Sequence, residues 1–308
     1  MKIGLIGLGN MGYNLMLNLL DEGHEVVAWN RSPEKRQMAR ETSKALVVDT
    51  LEELVAALPK QAIVFSIISA GSAIDDLFFG TTTIKGLSEL LSPGSIIVDL
   101  ANSHYKDSVR RSTALAIKSI KMLDVGISGG ISGARHGACF MVGGDEAAYD
   151  LLKELFQGVA IEKGCGYFGD SGAGHFVKMT HNAIEYGMMQ SLAEGMSLIS
   201  SSNYSPDLAK LLDVWNHGSI IQSNLVGYLL EAYKSDPGLT NTESQIGDLG
   251  TGKWAAQEAL DLGVPFTSIS HAIYARYNSR DTNFIGWKVI AAMRKVFGGH
   301  SSKDRPNI

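Results

Sequence analysis

The chain has 308 residues, 45% of them hydrophobic and 19% charged, which is enough to bury two ordinary domains. Its formal charge of −5 argues against nucleic-acid or membrane-surface binding, so an anionic ligand must be held by a local basic cluster. Two cysteines, Cys139 and Cys165, lack metal-ligand spacing; no disulfide framework, metal site, leader or membrane span is expected, and the cytoplasm is the expected location.

In chain order, short apolar runs occupy residues 3–8, 25–29, 46–48, 63–68, 95–100 and 122–127. They are rich in Ile and Val and mostly unalternating, as strands buried on both faces are. Helical patterns at 14–22, 52–58 and 107–120 lie between them. Alternating strands and helices predict a parallel, doubly wound sheet. Gly7-Leu8-Gly9-Asn10-Met11-Gly12 follows the first strand and opens a helix. In that context the glycines allow a tight turn, close approach of a pyrophosphate, and close helix–strand packing. Gly7, Gly9, Asn10, Met11 and Gly12 are therefore expected to hold a dinucleotide at a helix N-terminus.

The second run ends in Asn30-Arg31-Ser32. An acidic residue there would bind the ribose hydroxyls of NAD. Asn30 does not repel a 2′-phosphate, Arg31 can pair with it and Ser32 can donate to it, so NADP is the expected cofactor and NAD the alternative. A second, Gly/Ser-rich loop is read over residues 124–134, Asp124-Val125-Gly126-Ile127-Ser128-Gly129-Gly130-Ile131-Ser132-Gly133-Ala134, after a strand. Its amides and Ser128 could cradle an anion, or it could be a flexible hairpin loop.

Beyond about residue 170 strand signals vanish and amphipathic patterns follow, at roughly 173–201, 206–217, 225–233, 253–261, 266–279 and 281–297. The expected class is thus α/β with an N-terminal Rossmann-like doubly wound sheet followed by an all-α C-terminal domain. The expected division is 1–169 for the dinucleotide, 170–300 for substrate and dimerisation, and a flexible tail over 301–308. Lys178, His181, Asn182 and Glu185 stand at i, i+3, i+4 and i+7, one helix face. Phe176, Val177, Ala183, Ile184, Met188 and Met189 suggest burial around that stripe, so it should be paired or line a cleft.

Together the glycine loop, Asn30-Arg31-Ser32, Ala101-Asn102-Ser103, Ser128-Gly129-Gly130, residues 178–186, Gly250-Thr251-Gly252-Lys253-Trp254 and residues 294–300 resemble the decarboxylating 6-phosphogluconate dehydrogenase family. The likeness is to its short bacterial form, within the β-hydroxyacid dehydrogenase superfamily. The resemblance implies oxidative decarboxylation of a phosphorylated sugar acid with NADP, Lys178 as general base and Glu185 as general acid. It implies that Asn102, Ser128, Gly129, Gly130, His181 and Asn182 position the sugar acid, with Asn102 and Ile68 also near the cofactor. Tyr186 and Arg276 would contact the phosphate. Arg294 and His300 would reach a neighbouring subunit's site, in a homodimer or homotetramer that exchanges C-terminal tails.

Three positions depart from the family pattern: Ala183 replaces a glycine, Leu249 replaces a phosphate-contacting lysine, and Ser69 replaces a lysine near the nicotinamide. Leu249 keeps open a dehydrogenase or reductase of a smaller, unphosphorylated β-hydroxyacid. A non-catalytic NADP-binding protein is the remaining alternative.

Overall fold

The computed structural model describes residues 1–281 and 285–298. His300 and the tail expected over 301–308 lie outside the described residues. The chain divides into two compact units, Met1–Asn182 and Ala183–Ile308.

The first unit is built on strands β1 (Lys2–Ile6), β2 (Glu25–Trp29), β3 (Leu46–Val47), β4 (Ile63–Ser66), β5 (Ile96–Asp99), β6 (Lys121–Ser128), β7 (Ala138–Gly144) and β8 (Ala160–Tyr167). They form one sheet in the order β3-β2-β1-β4-β5-β6-β7-β8. Helices α1 (Asn10–Asp21), α2 (Pro33–Thr42), α3 (Leu51–Ala56), α4 (Ser72–Phe79), α5 (Leu87–Leu90), α6 (Tyr105–Ala116), α7 (Gly130–His136) and α8 (Glu146–Val159) connect them. Both sheet faces are covered. Ile3, Leu5, Phe65, Val98 and Val125 pack with α1 and α8 on one face. Ile6, Val64, Ile97 and Met122 pack with α3, α4 and α6 on the other. Successive strand residues thus enter opposite cores, which is why these runs do not alternate.

The sheet reverses its order between β1 and β4, so a crevice opens at their C-terminal ends, where dinucleotides bind in such folds. The expectation of a wholly parallel sheet is corrected at one edge. β6 pairs antiparallel with β7, Ser128 opposite Cys139, and β7 pairs parallel with β8. These last two strands are absent from the expected elements. β7 ends in Gly143-Gly144, and β8, Ala-Ile-Glu-Lys-Gly-Cys-Gly-Tyr, is an edge strand with Glu162 and Lys163 exposed.

Helix α9 (Ala173–Ser200) begins in the first unit, and the division between units falls within it. Its start is held by β6. Asp124, 1% exposed, accepts from Gly172 N at 2.7 Å and His175 N at 2.8 Å, satisfying amide groups at the helix N-terminus. Contact with the sheet there is backbone to backbone. A Cβ built on Gly174 would lie 2.1 Å from Asp124 O and 2.6 Å from Gly143 N.

In the second unit α9 continues, followed by α10 (Leu208–Trp215), α11 (Asn224–Ser235), α12 (Thr251–Asp261), α13 (Thr267–Arg280) and α14 (Ile285–Gly298). Met196, Leu212, Val226, Leu230 and Tyr233 bind α9 to α10 and α11. Tyr186, Ala272 and Ile273 join α9 to α13, with Ala256 of α12 packed against them. No strand is present after Tyr167 among the described residues, and none of the described helices is long and apolar enough to cross a membrane. One local expectation is corrected: Ala183 is buried as expected, but Ile184 and Met188 are exposed, because the face that α9 buries runs through Met179, Ala183 and Tyr186.

Gly174→Ala should destabilise the protein by about 1–3 kcal/mol, the cost of overpacking a closed contact, seen as a lower urea midpoint at unchanged slope. A wild-type midpoint would show that α9 can lift from the sheet.

Candidate active site

The glycine turn follows β1 directly. Gly7 has φ +104° and donates to Trp29 O at 2.9 Å. A Cβ on Gly7 would meet Ile67 O at 2.3 Å, and one on Gly12 would meet Gly7 O at 1.9 Å. Neither position has room for a side chain. At Gly9, the N-cap of α1, a Cβ would meet nothing within 4 Å. The turn is therefore closed towards the protein and open at the helix N-terminus, which fits a pyrophosphate. Asn10 and Met11 open α1, and the half-buried Ile68 packs beside Gly7.

The end of β2 is arranged differently from a simple ribose contact. The Asn30 side-chain oxygen accepts from Leu8 N at 2.8 Å, so it braces the glycine turn. The Ser32 hydroxyl donates to Glu34 Oε2 at 2.7 Å, and this bond holds the Glu34 carboxyl below its ordinary range. Arg36 donates to the carbonyls of Asn30 and Arg31 and pairs with Asp49, which also pairs with Arg40. Arg31 is exposed, and among the described residues no acid pairs with it. It is the cation left for a ligand at this end.

The second cluster lies where β5, β6 and α9 meet within the first unit. Ser128, the last residue of β6, places Oγ 3.2 Å from His181 Nε2. His181 Nδ1 lies 3.1 Å from Asn182 Oδ1 and 3.5 Å from Lys178 Nζ. Asn182 Nδ2 donates to Asn102 Oδ1 at 3.4 Å, from the loop after β5. With the Asn182 carbonyl oxygen facing Nδ1, the fitting tautomer carries its proton there and leaves Nε2 to accept from Ser128. Asn102, Ser128, Lys178, His181 and Asn182 are all half-buried, so they line a boundary between core and solvent. Gly129, φ +124°, turns the chain from β6 into α7, and both Gly129 and Gly130 are exposed beside Ser128. The loop is a helix start rather than a flexible hairpin.

Lys178 lies against bare strand backbone. A Cβ on Gly126 would come within 2.3 Å of Lys178 Cβ and 2.7 Å of its Cγ. Cys139, opposite Ser128, also feels this lysine: burial pushes its thiol up and the Lys178 charge counters that. Cys139 was not expected here, because its strand was not recognised. Asp124 and Gly126 were missed for a related reason: their contacts are made only when α9 lies on β6.

The second unit holds its own cluster. The buried Tyr186 donates its hydroxyl to Asp248 Oδ1 at 3.0 Å. Arg276 stacks on the Tyr186 ring at 3.6 Å and reaches Gly247 O at 3.4 Å. Asp248 also accepts from Gly250 N at 2.6 Å and faces Arg280 at 3.8 Å. Burial and the Asp248 bond both push the Tyr186 hydroxyl up. Leu249 is 83% exposed. Glu185 is half-buried on α9, and Arg294 is exposed on α14.

Comparison with known proteins agrees with this layout. Residues 2–169 match the family model described as the NAD binding domain of 6-phosphogluconate dehydrogenase. Residues 174–284 match the 6-phosphogluconate dehydrogenase C-terminal domain. The chain is 40% identical over 309 residues to the Bacillus subtilis protein YqeC, provisionally named a 6-phosphogluconate dehydrogenase, covering 99% of this chain and 100% of that one. It is 37% identical to a Haloferax volcanii relative named as NAD(+)-dependent, decarboxylating 6-phosphogluconate dehydrogenase, covering 97% and 98%. The solved Plasmodium falciparum 6-phosphogluconate dehydrogenase superposes with a TM-score of 0.81 at 32% identity, covering 100% of this chain and 67% of that one.

Gly126→Ala should displace the Lys178 stem and lower kcat by about tenfold or more, since small misplacements cost that much. Dinucleotide affinity, measured by fluorescence titration, should stay within about twofold, because the glycine turn is untouched. A normal kcat would show that the lysine's placement there is immaterial to turnover.

Proposed function

The chain belongs to the 6-phosphogluconate dehydrogenase family, and from that premise we propose that it converts 6-phosphogluconate to ribulose 5-phosphate and CO2 with NADP as oxidant. The reading is carried by one observation. Lys178, His181, Asn182, Ser128 and Asn102 form a connected set of side chains beside the sheet. Such a set can bind a sugar acid's hydroxyl and carboxylate groups while presenting an amine.

The glycine turn and the N-terminus of α1 would hold the pyrophosphate, and Arg31 the 2′-phosphate. The bound dinucleotide supplies a hydride acceptor. Lys178 takes the proton of the substrate's 3-hydroxyl, which requires its neutral form. The product of oxidation is a β-keto acid, and protonated Lys178 then stabilises the charge that develops on the ketone oxygen as CO2 leaves. Glu185, seven residues along α9, protonates C1 of the enol. His181, Asn182, Ser128 and Asn102 hold the sugar acid, with Gly129 and Gly130 presenting backbone beside it. Tyr186 and Arg276 take the phosphate.

Residues 1–169 serve the dinucleotide and lend Asn102, Ser128, Gly129 and Gly130 to the substrate, and 170–300 serve the substrate and assembly. The active form is at least a homodimer in which Arg294 and His300 serve the neighbouring subunit. Ile285, Trp287, Met293 and Val296, exposed on α14, favour burial of that helix against a second copy. The two free cysteines favour the cytoplasm.

Leu249 and the neighbouring Asp248 favour one competing reading, oxidation of an unphosphorylated acid. A spectrophotometric assay of 6-phosphogluconate and gluconate, each with NADP+ and NAD+, combined with CO2 release, separates the two. Turnover of gluconate alone would reject the phosphorylated substrate, and equal kcat/KM for the two cofactors would reject the NADP preference. Lys178→Met should abolish turnover and leave dinucleotide binding nearly intact; near-normal turnover would remove Lys178 from the mechanism. Truncation after Ala292 should raise KM sharply, and an unchanged KM would argue against a shared site.

A further inference from the structure

The largest fully buried side chain in the first unit that ends in a charge is Arg111, on α6, with no solvent exposure. A buried guanidinium must find acceptors for its donors. Nε donates to Asp75 Oδ1 at 2.9 Å, Nη1 to Ser103 Oγ at 3.2 Å, and Nη2 to Gly71 O at 3.1 Å. Asp99 Oδ2 lies 3.8 Å from Nη1. Burial opposes ionisation of Asp75, but Arg111 and Arg110 outweigh it and hold that carboxyl below its ordinary range.

The acceptors lie on two separate segments. Gly71 caps the start of α4 and Asp75 stands in its first turn, while Ser103 belongs to the connection from β5 into α6. The Ser103 hydroxyl passes on to Asp99 Oδ2 at 3.1 Å, and Asp99 Oδ1 accepts from Ala101 N at 3.1 Å. Both neighbours of Asn102 are therefore tied to this knot, while Asn102 itself reaches Asn182. The loops stand at the C-terminal sheet edge on the far side of the β1/β4 crevice from β2. Since the adenosine end is held at β2, the nicotinamide lies on this side. Packing alone would not call for an ionic knot, because apolar residues of similar volume commonly serve as well or better.

We propose that Arg111 is a positioning residue for the nicotinamide end of the dinucleotide site, fixing the Gly71 loop and the Asn102 loop against each other. The proposal rests on the dinucleotide-binding reading and is independent of which sugar acid is oxidised. A lysine cannot replace the fork, because a single ammonium does not span acceptors on two loops.

The test compares Arg111→Lys and Ser103→Ala with the unaltered protein, using two ligands. 2′-Phospho-ADP-ribose, which is NADP without its nicotinamide, is titrated by calorimetry, and NADPH by its fluorescence. 2′-Phospho-ADP-ribose should bind both variants within about twofold of the unaltered protein, and NADPH about tenfold more weakly. With the substrate that is turned over, kcat should fall by about 100-fold in Arg111→Lys. Ser103→Ala removes one small hydroxyl and keeps the guanidinium, so it reads out the knot even if Arg111→Lys fails to fold. Equal weakening of both ligands, or normal affinities with only a lowered Tm, would make Arg111 a fold staple and overturn the proposal alone. Failure of the unaltered protein to bind either ligand would overturn the proposal together with the dinucleotide reading.

Discussion

The site depends on one buried carboxylate. Asp124 sits on the central part of β6 and accepts from two amides at the start of α9. A negative group at a helix N-terminus is favoured by the free amides and the helix dipole, and in a dry setting each such bond is worth more than at a surface. The result is a helix whose start is fixed on the sheet. From there the rest is spacing. Ser128 stands four residues further along β6, Lys178 three residues past His175, and His181 one turn beyond it. Their proximity follows from the anchoring of two elements, not from flexible side chains searching for one another.

The same anchoring explains why glycine recurs where it does. Gly126, Gly143 and Gly174 are the points at which α9 touches strand backbone. Side chains there would hold the helix away from the sheet, carrying His181 out of reach of Ser128 and Lys178 off the β6 backbone. The glycine turn after β1 obeys a similar constraint on the other side of the crevice, where Gly12 packs on the Gly7 carbonyl. Both halves of the site are thus defined by backbone approaching backbone, with polar side chains filling the edges.

Much of this was legible in the sequence, and the parts that were not share a cause. The glycine turn, the strands β1 to β6 and the helical second half were readable because each has a local pattern: a spacing, an apolar run or a helical period. The stripe from Lys178 to Glu185 was readable because four polar residues share one face of a helix. Strands β7 and β8 were not: the apolar run of β7 is short and ends in two glycines, and β8 is an edge strand interrupted by charges and glycines. With β7 unrecognised, nothing placed Cys139 beside Lys178. Arg111, Asp99 and Asp124 could not be singled out either. A buried charge is explained by partners distant in sequence, and an Arg in an amphipathic helix reads as surface until those partners are known.

The brace from Asn30 to Leu8 has a bearing on how coenzyme preference can drift in this chain. On the proposed dinucleotide reading, one side chain would stand at the ribose end and also brace the turn that would meet the pyrophosphate, so a substitution at residue 30 would alter selectivity and affinity together. Arg31, Ser32 and Glu34 make no bond to that turn. On that reading the route between the two coenzymes would run along the start of α2 and not through the strand end that first draws the eye.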